Sequence, residues 1–186
     1  YLGLALLLLV PMHAGFRFGW NVHTASFAVT VGAVITGLLG VVLYVRIPRL
    51  VTLNRKGATL ETMIEQIATL DSDAKGLAAS LPDLPARAVL DSVVKTQIGG
   101  KWWERLLGVR STRAVSEALE TVSSPEVVLD LEDAKREQLH AVVEVLAEKF
   151  RLLDQIDRDL RYQTWLVAWL YLHVPLAFAA VAAVAV

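Results

Sequence analysis

Two stretches of the chain carry no Asp, Glu, Lys or Arg, one from Val22 to Tyr44 and one from Tyr162 to Val186. Apart from Arg17, the charge lies between Arg46 and Arg161. A membrane-crossing helix needs about 20 predominantly apolar residues, so the pattern predicts a span over about His23–Val45 and another from about Gln163 to Val186 and beyond. The apolar run from Tyr1 to about Met12 is too short to span alone and reads as the second half of a helix that begins before Tyr1. The expected organisation is residues 1–46 as a partial and a complete transmembrane helix, 47–162 as an inserted water-facing domain, and 163–186 as a third transmembrane helix. The expected fold class is therefore an all-α integral membrane protein, a transmembrane helix bundle carrying a helical, coiled-coil-like soluble insert.

Small residues recur four apart in the second segment, at Gly32, Thr36 and Gly40. That spacing places them on one helix face and lets another helix approach closely. In the third segment Trp165, Trp169 and Tyr171 form an interfacial aromatic cluster, and Pro175 is expected to loosen the backbone one turn earlier. Phe16, Phe18 and Trp20 suit the interface after the first segment.

The insert has the 3.6-residue period of helices. Ala58 to about Leu70 presents Leu60, Ile64, Ile67 and Leu70 on one face. Leu81-Pro-Asp-Leu-Pro85 breaks the pattern, Ala86–Ile98 resumes it with Val89, Leu90, Val93 and Val94, and Gly99-Gly100 ends it. Thr112–Val122 is a third helix. Ser124 followed by Pro125 reads as a cap with proline at the first helical position. From Glu126 or Glu132 the pattern runs into the third segment, with Leu139, Leu146, Leu153 and Leu160 every seven residues, Val142 and Ile156 between them, and Lys149 interrupting the row. Such a heptad row serves either as one side of a helical bundle or as a homodimeric coiled coil through residues 132–162.

Composition sharpens this picture. The chain is 55% hydrophobic with mean hydropathy +0.49, above the usual range for soluble domains. A net charge of −1 and the absence of a basic stripe argue against nucleic acid as a partner. There is no cysteine, which excludes disulfides, thiolate metal sites, iron–sulfur clusters and covalently attached haem within these residues. No nucleophile–base pair, phosphate loop or carboxylate pair of catalytic spacing stands out, so an electron relay or scaffold is expected rather than a catalyst. Arg46, Arg49, Arg55 and Lys56 follow the second segment, and Lys149, Arg151, Arg158 and Arg161 precede the third. The positive-inside rule then expects the insert in the cytoplasm of a bacterial inner membrane. Lys101-Trp-Trp-Glu-Arg-Leu-Leu107 is basic and amphipathic. It can lie on a membrane surface with Lys101, Arg105 and Arg110 toward anionic headgroups, or pack within the insert.

Of the four histidines, His140 falls off the heptad seam and is expected in solvent. His13, His23 and His173 lie in or at the edge of apolar segments, where an ionisable residue is a functional candidate. His173 sits about ten residues into its segment, roughly 15 Å deep at 1.5 Å per residue. No charged residue of that segment can pair with it. Both nitrogens of a neutral imidazole need partners, and a metal can satisfy one of them.

The runs Met12-His-Ala-Gly-Phe-Arg-Phe-Gly-Trp-Asn-Val-His-Thr24 and Trp169-Leu-Tyr-Leu-His-Val-Pro-Leu176 resemble the helix-end histidine motifs of membrane b-type cytochromes. The families meant are the small bis-histidine helical bundles that include dihaem electron-transfer subunits and ferric-reductase-like proteins. The resemblance covers the membrane part only. It implies one or two non-covalent b haems, axial ligation by His13 and His173, and His23 as a further ligand or a propionate partner. His13 and His23 lie near one face and His173 near mid-depth, so two haems at different depths, each completed by a ligand outside this window, are expected. The implied function is electron transfer in a larger redox or photosynthetic complex, with the bilayer and other membrane redox subunits as partners. The alternative is a cofactor-free scaffold or assembly subunit whose insert recruits a partner.

Overall fold

The computed structural model describes residues 5, 8, 12, 19, 22–108, 110–129 and 131–184, without the side chains of 22, 23 and 184. The first expected segment, as an element, and His13 fall outside the described residues. Among those residues every regular element is a helix: α1 Val22–Arg55, α2 Leu60–Ala78, α3 Asp83–Lys95, α4 Trp102–Leu107, α5 Arg113–Val122, α6 Pro125–Leu129 and α7 Asp133–Val184. The chain divides into two compact units, one of Tyr1–Leu50 and Gln163–Val186, the other of Val51–Tyr162.

In the first unit α1 and α7 run antiparallel. Ser26 Oγ donates to the Ala183 carbonyl at 3.3 Å, Gly32 faces Leu176, Thr36 meets His173 and Gly40 faces Trp169. The residue numbers climb on one helix as they fall on the other. The face of small residues at Gly32, Thr36 and Gly40 is the face that α7 occupies. At Gly40 a Cβ would fall inside the indole ring of Trp169, so only glycine admits that ring. α1 does not stop near Val45. It continues through the basic residues to Arg55 with Pro48 inside it. Pro48 cannot donate to the Tyr44 carbonyl, but a single lost bond does not end a helix whose flanking turns are packed.

The second unit builds a core from α2, α3, α5, α6 and the first half of α7. α2 is capped by Thr59, whose side chain accepts from the Thr62 amide at 3.1 Å while the Thr62 hydroxyl accepts from the Thr59 amide at 2.9 Å. The helix runs eight residues past the expected end, and its buried row is Met63, Ile67, Ala74 and Ala78. Ile64, expected on that face, is 41% exposed. The alanines of the final turns extend the row, and their small volume had hidden it. α3 begins at Asp83 and takes Pro85 into its first turn, where a missing N–H costs no intrahelical bond. It ends at Lys95, before the expected Ile98. Its buried positions are Pro85, Val89 and Ser92, whereas the expected Leu90 and Val94 are exposed. Ser92 is tolerated inside because its hydroxyl donates to the Val89 carbonyl at 2.7 Å.

The heptad row is packed inside the chain. Leu139, Val142, Leu146, Leu153 and Ile156 are buried in the core shared with α2, α3 and α5. Lys149 is buried with them: its Nζ lies 2.6 Å from Asp71 Oδ1 and donates to the Ser92 carbonyl at 3.1 Å. The coiled-coil-like seam is therefore one side of an intramolecular bundle, and a homodimer through residues 132–162 would have to use the outer face of α7.

At the end of α1, Asn54 Nδ2 donates to the Gln155 carbonyl at 2.7 Å and Gln155 Nε2 donates back to the Asn54 carbonyl. Arg55 places Nη2 2.6 Å and Nε 3.1 Å from Oδ2 of the buried Asp159. The hydrogen bond to Asp159 raises the Arg55 pKa above its already high ordinary value, so the guanidinium keeps its charge wherever the protein is folded. Arg55→Met would leave Asp159 buried beside an apolar side chain. A loss of about 3 kcal/mol or more is expected, measured by native-state hydrogen exchange of the second unit.

Candidate functional site

Both α1 and α7 contain a window long and apolar enough to cross a membrane, and only 11% and 6% of those windows is buried. The core helix of a soluble protein would be mostly buried. Here Ile35, Leu38, Val41, Leu172, Phe178 and Val181 face outward.

Where the two helices meet, one polar cluster interrupts the apolar surface. Thr36 stands at its centre. Its hydroxyl oxygen lies 2.8 Å from the Gly32 carbonyl and 3.1 Å from the Ala33 carbonyl. A carbonyl only accepts, so the single hydroxyl proton is directed to the backbone. The Thr36 oxygen is then an acceptor toward His173 Nδ1, 2.8 Å away. This network puts the imidazole proton on Nδ1 and the lone pair on Nε2. The Thr36 carbonyl accepts from Trp169 Nε1 at 2.8 Å, and the indole stacks on the imidazole with centroids 5.2 Å apart and planes 13° from parallel. One residue of α1 thus fixes both the proton and the ring orientation of His173.

Nε2 has no hydrogen-bond partner among the described residues. The residue at that edge of the ring is Gly37, where a methyl group would stand 3.4 Å from Cε1 and 4.0 Å from Nε2. The imidazole is thus held in one tautomer, stacked on one face by Trp169 and bordered at its Nε2 edge by glycine. No three His, Cys, Asp or Glu side chains converge into a metal cluster among the described residues.

Among the described residues no other histidine is brought to this cluster. His13 lies outside the described residues. His23 is in the first turn of α1, thirteen positions before Thr36, roughly 20 Å along the helix at 1.5 Å per residue. His140 is exposed on α7. In the insert, Trp102 and Trp103 are exposed and meet edge to face at 5.7 Å, with Lys101 Nζ 5.1 Å above the Trp103 ring.

The sequence pattern puts Thr36 in a packing stripe and Trp169 in an aromatic belt and pairs neither with His173. The four-residue spacing of Trp169 and His173 was the available signal for the stack, since such pairs share a helix face. No family model, curated protein or solved structure matches the chain.

Proposed function

We propose that the protein is a membrane-spanning electron-transfer subunit that holds a b-type haem through His173. The observation that carries this reading is the bond from His173 Nδ1–H to Thr36, which leaves Nε2 as the only basic nitrogen and fixes its direction. Haem bound at that nitrogen would supply one-electron redox chemistry within the bilayer. Thr36 holds the proton on Nδ1 and raises the basicity of Nε2. Trp169 covers one face of the ring and keeps water from it. The small residues of α1 keep the two helices close enough for both contacts. His13 and His23 remain the candidates for a second level of ligation. The basic residues flanking the insert support a cytoplasmic position for it, in a bacterial inner membrane, where it would meet other redox subunits.

The test is a visible spectrum of the full chain purified from membranes, air-oxidised and then reduced with dithionite. A Soret band with sharp reduced α and β bands is expected in the wild type and not in His173→Ala. Thr36→Val keeps the shape of the helix contact but removes the acceptor, and should loosen haem retention by about 10–100-fold. A spectrum unchanged in His173→Ala rejects His173 as ligand. A featureless wild-type spectrum would reject the cytochrome reading and leave a cofactor-free membrane scaffold whose insert binds partners.

A further inference from the structure

The insert contains a cleft of about 640 Å³ between the Gly99–Gly100 turn, α4, the start of α5 and the Asp154–Arg161 stretch of α7. Three of its basic side chains are already neutralised: Lys95 by Asp91 at 2.8 Å, Arg113 by Glu117 at 2.8 Å and Arg158 by Asp154 at 3.1 Å. Two further carboxylates at the cleft are occupied by neutral donors. Asp157 accepts from the Ser111 amide and hydroxyl at 2.8 and 2.7 Å, and Glu104 accepts from the Lys101 amide at 2.8 Å.

Three arginines remain. Arg105 is pinned to the turn through the Gly99 carbonyl and the Gly100 carbonyl, the latter at 3.2 Å. These bonds use two of the five guanidinium N–H donors. Arg161 lies against Gly108, where a methyl group would stand 3.1 Å from its Nη1. Arg110 is exposed at the rim. Neither Arg110 nor Arg161 has a carboxylate or carbonyl partner among the described residues. Glycines at positive φ (99, 100 and 108) shape this wall, and at 99 and 108 a side chain would press on the arginines.

We infer that this cleft is a binding site for a phosphate-bearing anion, gripped by Arg105, Arg110 and Arg161. Guanidinium forks match the paired oxygens of a phosphate and give charge-assisted, bidentate bonds. One guanidinium is pre-oriented by backbone carbonyls, which lowers the ordering cost of binding. A phospholipid headgroup and a soluble phosphate ester share this chemistry.

The experiment uses the full chain in phosphatidylcholine nanodiscs. Inorganic pyrophosphate is titrated by calorimetry. In parallel, hydrogen exchange of residues 99–111 is compared between phosphatidylcholine discs and discs that also contain phosphatidic acid. Saturable heat with pyrophosphate, weakened by about tenfold or more in Arg110→Gln/Arg161→Gln and unchanged in Arg87→Gln, supports the site and assigns it to soluble phosphates. Protection of residues 99–111 only in the phosphatidic acid discs, and lost in the double variant, supports it with a headgroup as the ligand. No heat and no protection, or a signal that the folded double variant retains, overturns it.

Discussion

Lys149→Met is expected to destabilise the helical insert by about 3–5 kcal/mol. The ammonium is fully buried and has two partners from different helices, Asp71 Oδ1 at 2.6 Å and the Ser92 carbonyl at 3.1 Å. Methionine fills a similar volume, so little of the loss comes from a cavity. The loss comes from Asp71, whose mostly buried carboxylate would be left without the cation beside it. Adding Asp71→Leu to Lys149→Met should return much of the stability, because exchanging a whole buried ion pair for apolar side chains is often neutral or favourable. Native-state hydrogen exchange of the second unit in the full chain measures both. A change below about 1 kcal/mol in the single variant would mean that the pair is solvated as surface pairs are.

The second large effect is expected at Gly40. Any side chain there must place its Cβ where the Trp169 indole lies. Gly40→Leu should therefore force α1 and α7 apart and break the Trp169–Thr36 bond. Overpacking typically costs about 1–3 kcal/mol. The chain has no cysteine, so a Ser26→Cys/Ala183→Cys pair reports the helix contact by disulfide formation. Cross-linking should be efficient in the native background, fall sharply with Gly40→Leu, and recover when Trp169→Ala is added. Gly76→Ala, with open space around it, serves as the control. Equal cross-linking in all four backgrounds would refute the Gly40–Trp169 contact.

Much of the helical architecture was legible because it follows from local periodicity. The two charge-free stretches, the proline at the start of α6 and the row Leu139–Leu146–Leu153 each announce themselves within a few turns of chain. The faces of α2 and α3 did not. Ala74, Ala78 and Ser92 are buried, while Ile64, Leu90 and Val94 are exposed. In a small bundle, helix faces are chosen by close approach as much as by hydrophobicity, and alanine and serine permit the closest approach. The apolar stretch expected to span over His23–Val45 is part of a longer helix, since α1 continues to Arg55. A run of basic residues marks a change of solvent, but it does not stop a helix whose hydrogen bonds continue.

The sequence alone determined which segments are apolar, that the chain is helical, and that His173 is an isolated imidazole in an apolar stretch. It could not determine what a polar side chain meets once buried, because the partner lies far along the chain. Lys149 looked like a flaw in a heptad until Asp71 and Ser92 came to meet it from α2 and α3. His173 looked alone until Thr36, 137 residues away, supplied the acceptor that sets its tautomer. Periodicity is a property of one helix and can be read from it. The satisfaction of a buried donor depends on two helices together, and only the tertiary structure decides it.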